Sequence, residues 1–387
     1  MVDKAAIVSL AQRLIRANTS NPPGNEKAVA DILAERLRAL GLEVKMIENA
    51  AGRPNLLGIW KGNGNGKKKT LFLQGHMDTV PATGEGWTHP PFSATVEGDK
   101  LYGRGACDMK GGLAAMVATV EKLKKENWQP KGTLVFIGSA NEEMGDKENV
   151  GMSFIAPKLK EMFPGESLMV MTDTSDMNIV IAEKGVLWLE VTAKGKEAHG
   201  SMPWKGVNAI EKLGKFLLAL RDLDRPISSR LLGKGTASVN TISGGYKTNV
   251  VPDVARASVD IRLVPGETKE SIYAAIQKLI TKLRKEDADM NITFKDTTYF
   301  QPVEVSPDKP FIREMTSSIT QVTGKKPEIK GEHGASGAWI FVNAGFDVLM
   351  CGPGKPEIAH SKNEWVEVSQ LVHAAEAYAS FVKKWLG

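Results

Sequence analysis

Histidine and carboxylate side chains, which can bind metal ions or move protons, occur in five short clusters of this sequence. Four of these clusters follow an apolar run directly or lie in a glycine-rich turn. In α/β proteins, ligand sites lie beyond the carboxyl ends of the strands, so we expect such clusters to share one site. The clusters are residues 75–78, 103–112, 139–145, 172–176 and 358–361.

The spacing within each cluster indicates what its side chains could do. His76 and Asp78 are two residues apart, so on an extended chain they point the same way and Asp78 can orient the imidazole ring. Glu142 and Glu143 are adjacent on a turn, so one can bind metal while the other faces a substrate. Asp108 directly precedes a helix, where an N-terminal cap is the alternative to metal binding.

Alternating strands and helices must position these clusters. Apolar periodicity predicts helices over residues 5–17, 26–40 and 112–125, and strands over residues 42–47, 55–60, 70–74, 132–138 and 168–171. This order is typical of a mixed or parallel sheet with helices on its faces. Beyond residue 182 the strands alternate as half-exposed strands do, which predicts a small inserted α+β domain. Its elements are strands 186–193, 255–263 and 291–294 and helices 207–223 and 269–285, and a helix over 369–385 closes the chain.

The composition limits the class of protein. The 387 residues, 42% hydrophobic and 25% charged, suggest two or three globular domains. Two cysteines form no disulfide framework and fit a reducing compartment, and Cys107 is expected to be a small buried residue rather than a ligand. We see no signal peptide and no apolar run near the ~20 residues of a membrane span, so we expect a soluble cytoplasmic protein without membrane contact.

The net charge of +5 includes the cationic run Lys67-Lys68-Lys69, which could contact nucleic acid. No aromatic side chains interleave with these lysines, so a solvated hairpin tip is the better interpretation and no nucleic-acid partner is expected.

Together the clusters resemble the dinuclear zinc deacylase and exopeptidase family, which includes acetylornithine deacetylase, succinyl-diaminopimelate desuccinylase, aminoacylase and carboxypeptidase G. The resemblance runs from about residue 71 to residue 368, and the motifs follow the family's order. It implies an α/β fold in which a mixed-sheet catalytic domain of the zinc exopeptidase type carries an inserted α+β lid domain for dimerisation. The expected division is residues 1–183 and 299–387 for the catalytic domain and 184–298 for the lid.

The resemblance also implies two divalent metal ions per chain. Imidazole and carboxylate ligands suit zinc, and cobalt or manganese can replace it. By the same resemblance the five ligands are His76, Asp108, Glu143, Asp173 and His360. Asp108 would bridge both ions, with His76 and Asp173 completing one site and Glu143 and His360 the other.

The roles of the remaining residues follow from the resemblance. A water shared by the metals would lose a proton near neutral pH and attack the substrate, and Glu142 would pass that proton to the leaving nitrogen. Asp78 would orient His76. His199, in the inserted domain, would hold the oxyanion together with one metal, at the active site of the partner subunit in a homodimer formed through the lid.

Four further residues are candidates for substrate binding. Asn249 and Arg262 lie in segments that resemble the family's substrate anchors, and a guanidinium fork is well shaped for a carboxylate. Taken alone, Arg262 would be an ordinary surface charge. The loop containing His333 and Gly334 departs from the relatives, because Ala335 lacks the hydroxyl they often carry and His333 is additional.

The sequence therefore predicts metal-dependent hydrolysis of an amide bond in an N-acyl amino acid or short peptide with a free carboxylate. A dipeptidase or aminopeptidase is the alternative, since dipeptidase members often have aspartate where this chain has Asp173, although the sequence locates no acidic anchor for a free amine. A metal-free binding or scaffold protein on the same fold is a third hypothesis. It would be expected to lose ligands, and here all of them are present.

Overall fold

The structure, a computed structural model, describes residues 1–64, 69–145 and 148–387. Lys67 and Lys68 of the cationic run therefore lie outside the described residues. The chain divides into two compact units. The first unit is Met1–Ile181, Val305–Lys330 and Ser336–Gly387, and the second unit is Ala182–Glu304 and Gly331–Ala335.

The short segment Gly331–Ala335 was expected in the catalytic domain, and the structure places it in the second unit instead. Its contacts give the reason. The Lys184 backbone N–H donates to the Glu332 carbonyl over 3.2 Å. Gly331 lies so close to Leu232 that an added Cβ would come within 2.5 Å of that side chain.

The strands and helices are numbered here in chain order. The strands are β1 (Glu43–Ile47), β2 (Asn55–Lys61), β3 (Lys69–His76), β4 (Thr95–Glu97), β5 (Lys100–Tyr102), β6 (Thr133–Ser139), β7 (Glu166–Met171), β8 (Ile179–Glu183), β9 (Gly185–Lys194), β10 (Ala198–His199), β11 (Ser228–Ser229), β12 (Gly233–Lys234), β13 (Thr236–Gly244), β14 (Val250–Val251), β15 (Val254–Leu263), β16 (Ile292–Phe300), β17 (Val303–Glu304), β18 (Ile329–Glu332), β19 (Asp347–Met350) and β20 (Trp365–Glu367). The α-helices are α1 (Lys4–Arg16), α2 (Glu26–Ala39), α3 (Gly111–Lys125), α4 (Met152–Met162), α5 (Ala209–Arg221), α6 (Lys269–Glu286), α7 (Pro310–Thr323), α8 (Ala338–Asn343) and α9 (Val368–Leu386).

The main sheet of the first unit is mixed, which confirms the predicted fold class. Its strands run in the order β1-β2-β6-β3-β7-β19-β8. The strands β6, β3, β7 and β19 are parallel to one another, whereas β1, β2 and β8 pair antiparallel at the two sides. The central strands are buried almost throughout because helices such as α3 and α9 pack against them.

The parallel register determines where the polar clusters come together. β3 ends at His76, β6 at Ser139 and β7 at Met171, and these ends lie side by side. Each strand is followed directly by one of the predicted clusters. Carboxyl ends of neighbouring parallel strands share one edge of the sheet, so the clusters meet there.

The second unit has its own antiparallel sheet, in the order β13-β15-β9-β16. Alternate residues of its central strands form a core with helices α5 and α6. Strand β16 continues well beyond the predicted end at residue 294. Its register shifts between Asp296 and Thr298, and this irregularity breaks the alternation on which the shorter prediction rested.

None of the helices in the part of the chain that the structure describes combines the length and the hydropathy that crossing a lipid bilayer requires.

Candidate metal centre

The structure brings the five predicted ligands together in the first unit, with Asp108 between two imidazole rings. One Asp108 oxygen, Oδ1, lies 2.9 Å from His76 Nε2, and the other, Oδ2, lies 3.1 Å from His360 Nε2. Glu143 Oε2 lies 3.0 Å from the same His360 nitrogen. Each Asp108 oxygen therefore faces a different histidine, as a bridging carboxylate needs.

Three groups of three side chains could each hold a metal ion. Within each group, every side chain contributes one potential ligand atom, and these three atoms lie within 4.8 Å of one another. The groups are His76 with Asp108 and Asp173, Asp108 with Glu143 and His360, and His76 with Glu142 and Glu143. The first two groups share Asp108, and they consist of the same residues that the resemblance implies for the two metal sites. The third shows that Glu142 is also within reach of a metal ligand.

Burial and mutual repulsion perturb the acids of this cluster. Burial, reinforced by the negative charge of Asp108, raises the pKa of Asp173 to about 7. Burial likewise raises the pKa of Glu142 well above its ordinary value, and that of Glu143. Burial also disfavours the charged form of Asp108, but hydrogen bonds from the two histidines outweigh it and lower the pKa of that residue.

The histidines show the complementary effect. Hydrogen bonds to Asp108 and Glu143 raise the pKa of His360 to about 10. Burial alone would lower the pKa of His76, yet its carboxylate neighbours raise it. Four half-buried carboxyl groups thus surround two imidazoles, an excess of negative charge that divalent cations would neutralise. The donor set fits two metal ions of the zinc type.

Asp78 approaches His76 through its backbone as well as through its side chain. The His76 Nδ1 atom lies 3.0 Å from the Asp78 backbone carbonyl oxygen and 3.5 Å from its carboxylate. The carboxylate instead accepts the backbone N–H groups of Glu142 and Glu143, over 3.1 and 3.2 Å. Asp78 therefore orients the ring mainly through its carbonyl, and its carboxylate holds the turn that carries the glutamate pair.

Asp108 is not a helix cap, which removes the alternative interpretation of this residue. Residue Lys110 occupies the N-cap position of α3, and no side chain caps that helix. Gly105 precedes the Asp108 turn with a φ of 83°, a conformation that glycine adopts without strain. Cys107 is buried, and its Sγ lies 3.4 Å from the Lys355 carbonyl oxygen, so it has the packing role predicted for it.

Sequence reasoning missed an ion pair that links two of the ligand loops. The Glu364 carboxylate accepts the backbone N–H groups of Cys107 and Asp108, over 2.9 and 3.0 Å, and pairs with Arg104 over 2.6 Å. Arg104 also donates to the carbonyl oxygen of His360, over 3.3 Å. One buried pair thus supports both Asp108 and His360, and only the proximity of Glu364 to His360 in the sequence could have suggested it.

The second unit contains His199 and Asn249 close together. His199 on β10 pairs with Val250 on β14, and the Gly200 N–H donates to the Asn249 carbonyl over 2.8 Å. His199 is exposed, and its Nδ1 atom lies 2.8 Å from the Ser201 hydroxyl and 3.1 Å from the Ser201 backbone nitrogen.

The other residues predicted to bind substrate differ in environment, because Arg262 is already bound to a carboxylate whereas His333 and Gly334 are exposed. Arg262 Nε and Nη2 both donate to Asp260, over 2.8 and 3.0 Å, so an internal carboxylate already occupies the guanidinium fork. His333 and Gly334 are exposed. Asp176, the second acid of the 172–176 cluster, accepts from Gln370 and belongs to none of the ligand groups found among the described residues.

Overlapping groups of imidazole and carboxylate ligands at the strand ends of a mixed α/β sheet define a metal-dependent hydrolase. The chain belongs to peptidase family M20/M25/M40, whose model matches residues 72–384. The family is one of enzymes that hydrolyse amide bonds, and the predicted resemblance is thereby confirmed.

Two proteins of similar sequence have names that denote different substrates. The chain is 27% identical over 413 residues to N-formyl-4-amino-5-aminomethyl-2-methylpyrimidine deformylase of Bacillus subtilis (strain 168), covering 99% of this chain and 95% of that protein. It is 30% identical over 393 residues to a probable succinyl-diaminopimelate desuccinylase of Staphylococcus aureus (strain MRSA252), covering 93% and 92% of the two chains.

Solved structures show the same fold at low identity. Aminopeptidase PepT from Bacillus cereus superposes with a TM-score of 0.79 at 21% identity, covering 99% of each chain. A dinuclear metal binding peptidase of the M20 family from Bacillus subtilis superposes with a TM-score of 0.74 at 16% identity, covering 99% of this chain and 98% of that one.

Proposed function

We propose that this protein hydrolyses the amide bond of an N-acyl amino acid or a short peptide that carries a free carboxylate. The observation that carries the proposal is the position of Asp108. Its two oxygens face His76 and His360 at 2.9 and 3.1 Å, and it is shared by both ligand groups of the predicted composition. A carboxylate whose two oxygens face different histidines can bridge two neighbouring metal ions.

Each ligand has a defined place in this proposal. His76 and Asp173 hold one ion with Asp108, and Glu143 and His360 hold the other. When bound, the two divalent ions polarise the scissile carbonyl and lower the pKa of a water molecule. Zinc suits this donor set, and cobalt or manganese is also compatible with it.

Glu142 moves the proton. It lies beside Glu143 on the turn after β6, within reach of His76 and Glu143 but outside the two groups that share Asp108. Its carboxylate takes a proton from the attacking water and later donates it to the leaving nitrogen. Asp78 supports this step, because its carboxylate holds the backbone N–H groups of both glutamates.

The substrate-binding residues are proposed in the second unit. His199, whose side chain is exposed, donates a hydrogen bond to the oxyanion, and Asn249 lies beside it. Arg262 attracts the substrate carboxylate, although its Nε and Nη2 atoms already bind Asp260. His333 and Gly334, which are exposed, form a further part of this surface.

The contact between Asp260 and the Arg262 guanidinium favours a second candidate substrate for the same amide hydrolysis. If Asp260 keeps Arg262 neutralised, binding depends less on a substrate carboxylate, and an amide without a carboxylate becomes an equally good substrate. The named relatives also include a deformylase of a pyrimidine and an aminopeptidase. The substrate panel below therefore includes amides with and without a carboxylate.

A homodimer through the second unit is part of the proposal. Strand β13 forms the outer edge of its sheet, and among the described strands it pairs only with β15. The side chains of Val239 and Ile242 on this strand are exposed. An unpaired edge with exposed apolar side chains favours strand pairing with a second copy.

A cytoplasmic location also stays a prediction.

The test compares two variants of the adjacent glutamates. Glu142→Ala should keep both metals and lose on the order of 10²–10⁴-fold in kcat, since that is the usual contribution of a general base. Glu143→Ala should lose metal. Glu161→Ala, an exposed glutamate of α4, serves as the control and should change neither quantity. Metal content per chain and kcat are measured on the same samples.

The panel consists of acetyl, succinyl and longer-chain N-acyl amino acids, dipeptides and tripeptides, and an N-formyl aminomethylpyrimidine that lacks a carboxylate. Equal metal retention and similar rates in the two glutamate variants would contradict the assigned roles. Turnover of the pyrimidine alone would contradict the requirement for a carboxylate.

A further inference from the structure

The turn that carries Glu142 and Glu143 is held by side chains from other parts of the first unit. Four successive backbone N–H groups, those of residues 140–143, each donate to a side-chain oxygen. Ala140 donates to Asn55 Oδ1 over 3.1 Å, and Asn141 donates to Glu26 Oε1 over 3.1 Å. Glu142 and Glu143 donate to the two oxygens of Asp78. No regular secondary structure fixes these four residues, so the side-chain acceptors determine their conformation.

Glu26 occupies the centre of this arrangement although it lies far away in the sequence. It is the first residue of α2, and its side chain is completely buried. Its Oε2 accepts from Arg53 Nε over 3.0 Å, and its Oε1 accepts from Arg53 Nη2 as well as from the Asn141 N–H. The arginine therefore holds the carboxylate so that one oxygen stays aimed at the turn.

Asn141 is gripped through its side chain as well as its backbone. Its Oδ1 accepts from Arg53 Nη2 over 3.0 Å and from Asn21 Nδ2 over 2.9 Å, and Asn21 donates in turn to Asp78 over 2.8 Å. Its φ of 61° is uncommon for a residue with a side chain. A backbone in this conformation persists only where its surroundings fix it.

We propose that Glu26, clamped by Arg53, is a positioning residue for catalysis. By fixing the Asn141 backbone it sets the directions in which Glu142 and Glu143 leave the turn, one toward the substrate and one toward a metal. This inference rests on the proposed roles of those two glutamates. Glu26 itself touches neither metal nor substrate and acts only through the turn.

Two conservative variants separate positioning from simple charge pairing. Glu26→Gln loses the charge opposite Arg53 but keeps an oxygen where the Asn141 N–H needs one. Glu26→Asp keeps the charge but withdraws the oxygens by one methylene. If Glu26 positions the turn, Glu26→Gln should retain more activity than Glu26→Asp. If Glu26 only pairs with Arg53, the order should be reversed.

Glu121 offers a matched control. It pairs with Arg36 of the same helix α2 over 2.6 Å, and its side chain is 10% exposed. It is not one of the acceptors that bind the four N–H groups of the 140–143 turn. Glu121→Asp and Glu121→Gln should therefore leave kcat unchanged while perturbing a partly buried ion pair of the same kind.

The kinetic result expected at saturating metal is a loss in kcat. For Glu26→Asp we expect a fall on the order of 10²-fold, since a displacement of about 1 Å at a catalytic group can cost that much. KM should stay near the wild-type value. In a Glu142→Gln background the same substitution should cost much less, because the group it positions has already been removed.

A second measurement does not depend on metal or activity. Amide hydrogen exchange of the metal-free protein, followed in peptides that cover residues 139–145, should be faster in Glu26→Asp than in wild type. Glu26→Gln should exchange near the wild-type rate, and the Glu121 variants should match wild type. Exchange reports the loss of the Asn141 hydrogen bond directly.

The outcomes distinguish this inference from the proposed function. If Glu142→Gln itself retains full activity, the proposed function is wrong, and the exchange data still decide whether Glu26 holds the turn. If Glu142→Gln is inactive but Glu26→Asp keeps wild-type kcat and wild-type exchange, the positioning role is overturned. Higher activity of Glu26→Asp than of Glu26→Gln also overturns it.

Discussion

The ion pair between Arg104 and Glu364 provides a quantitative test of how the metal loops are held. The two side chains are 4% and 0% exposed, and they lie 2.6 Å apart. Replacing Glu364 by leucine leaves the guanidinium buried without its partner. Breaking a buried pair from one side typically costs about 3–5 kcal/mol, which is a large part of the ~5–15 kcal/mol that stabilises most proteins.

The same substitution removes the acceptor of two backbone N–H groups, those of Cys107 and Asp108. Each such buried donor left unpaired costs about 1–3 kcal/mol. These contributions overlap with the loss of the ion pair, so we expect a total of about 4 kcal/mol or more. Because Arg104 also donates to the His360 carbonyl, metal affinity should fall as well.

The assay is urea unfolding of metal-free protein, followed by tryptophan fluorescence, with metal affinity measured separately by titration. Glu364→Leu should lower the free energy of unfolding by the amount given above. The double variant Arg104→Leu/Glu364→Leu should recover part of the loss, since no unpaired charge remains buried. Asp31→Ala, which removes the exposed partner of Lys27, should cost at most about 1 kcal/mol. If Glu364→Leu costs no more than Asp31→Ala and binds metal like wild type, the pair does not hold these loops.

Three further predictions concern specificity, assembly and pH. His333→Gly should change the ranking of substrates in the panel more than it changes all the rates together, and a small uniform effect would show that His333 has no part in selectivity. His199→Ala and Glu142→Ala chains should each be nearly inactive as homodimers, and activity should return when they are unfolded and refolded together; mixed dimers without activity would show that His199 is not shared between subunits. Hydrogen bonds from Lys122 and Lys383 lower the pKa of Glu126 from its ordinary value of 4.5 to about 2. The ionised Glu126 side chain therefore stabilises the fold fully above pH 4.5, and this stabilisation is lost as the pH falls toward 2. The melting temperature of Glu126→Gln should therefore lie below that of wild type near neutral pH and converge with it between pH 4.5 and 2.

Much of the fold could be predicted from local pattern. Helices α2 and α6 begin at the predicted residues because apolar periodicity and a polar first turn mark them clearly. Three of the ligand clusters were recognisable because each follows a buried parallel strand, β3, β6 or β7, and parallel strands bring their ends together. Strand β16 was underestimated because a register shift interrupts its alternation.

The support behind the ligands could not be predicted in the same way. Glu26 and Asn141 are 115 residues apart, and Glu364 and Asp108 are 256 apart. No local periodicity relates such positions. Glu26 in particular has the sequence context of an ordinary first-turn acid at a helix start, where a solvated side chain is the usual outcome. Only the packed structure shows that it is buried against the catalytic turn.

The chain forms most of the second unit before it completes the first, and this affects the order in which the parts of the protein can fold during synthesis. The chain leaves the first unit at Ile181 and re-enters it at Val305, and these residues are hydrogen bonded over 2.8 Å. During synthesis, residues 182–304 emerge as one continuous stretch with their own core, before the segment that contains His360 exists. Domains generally fold as units during translation, so residues 182–304 can fold while the proposed ligand set is still incomplete. The metal centre as we propose it includes His360, so it can be completed only after that residue has left the ribosome.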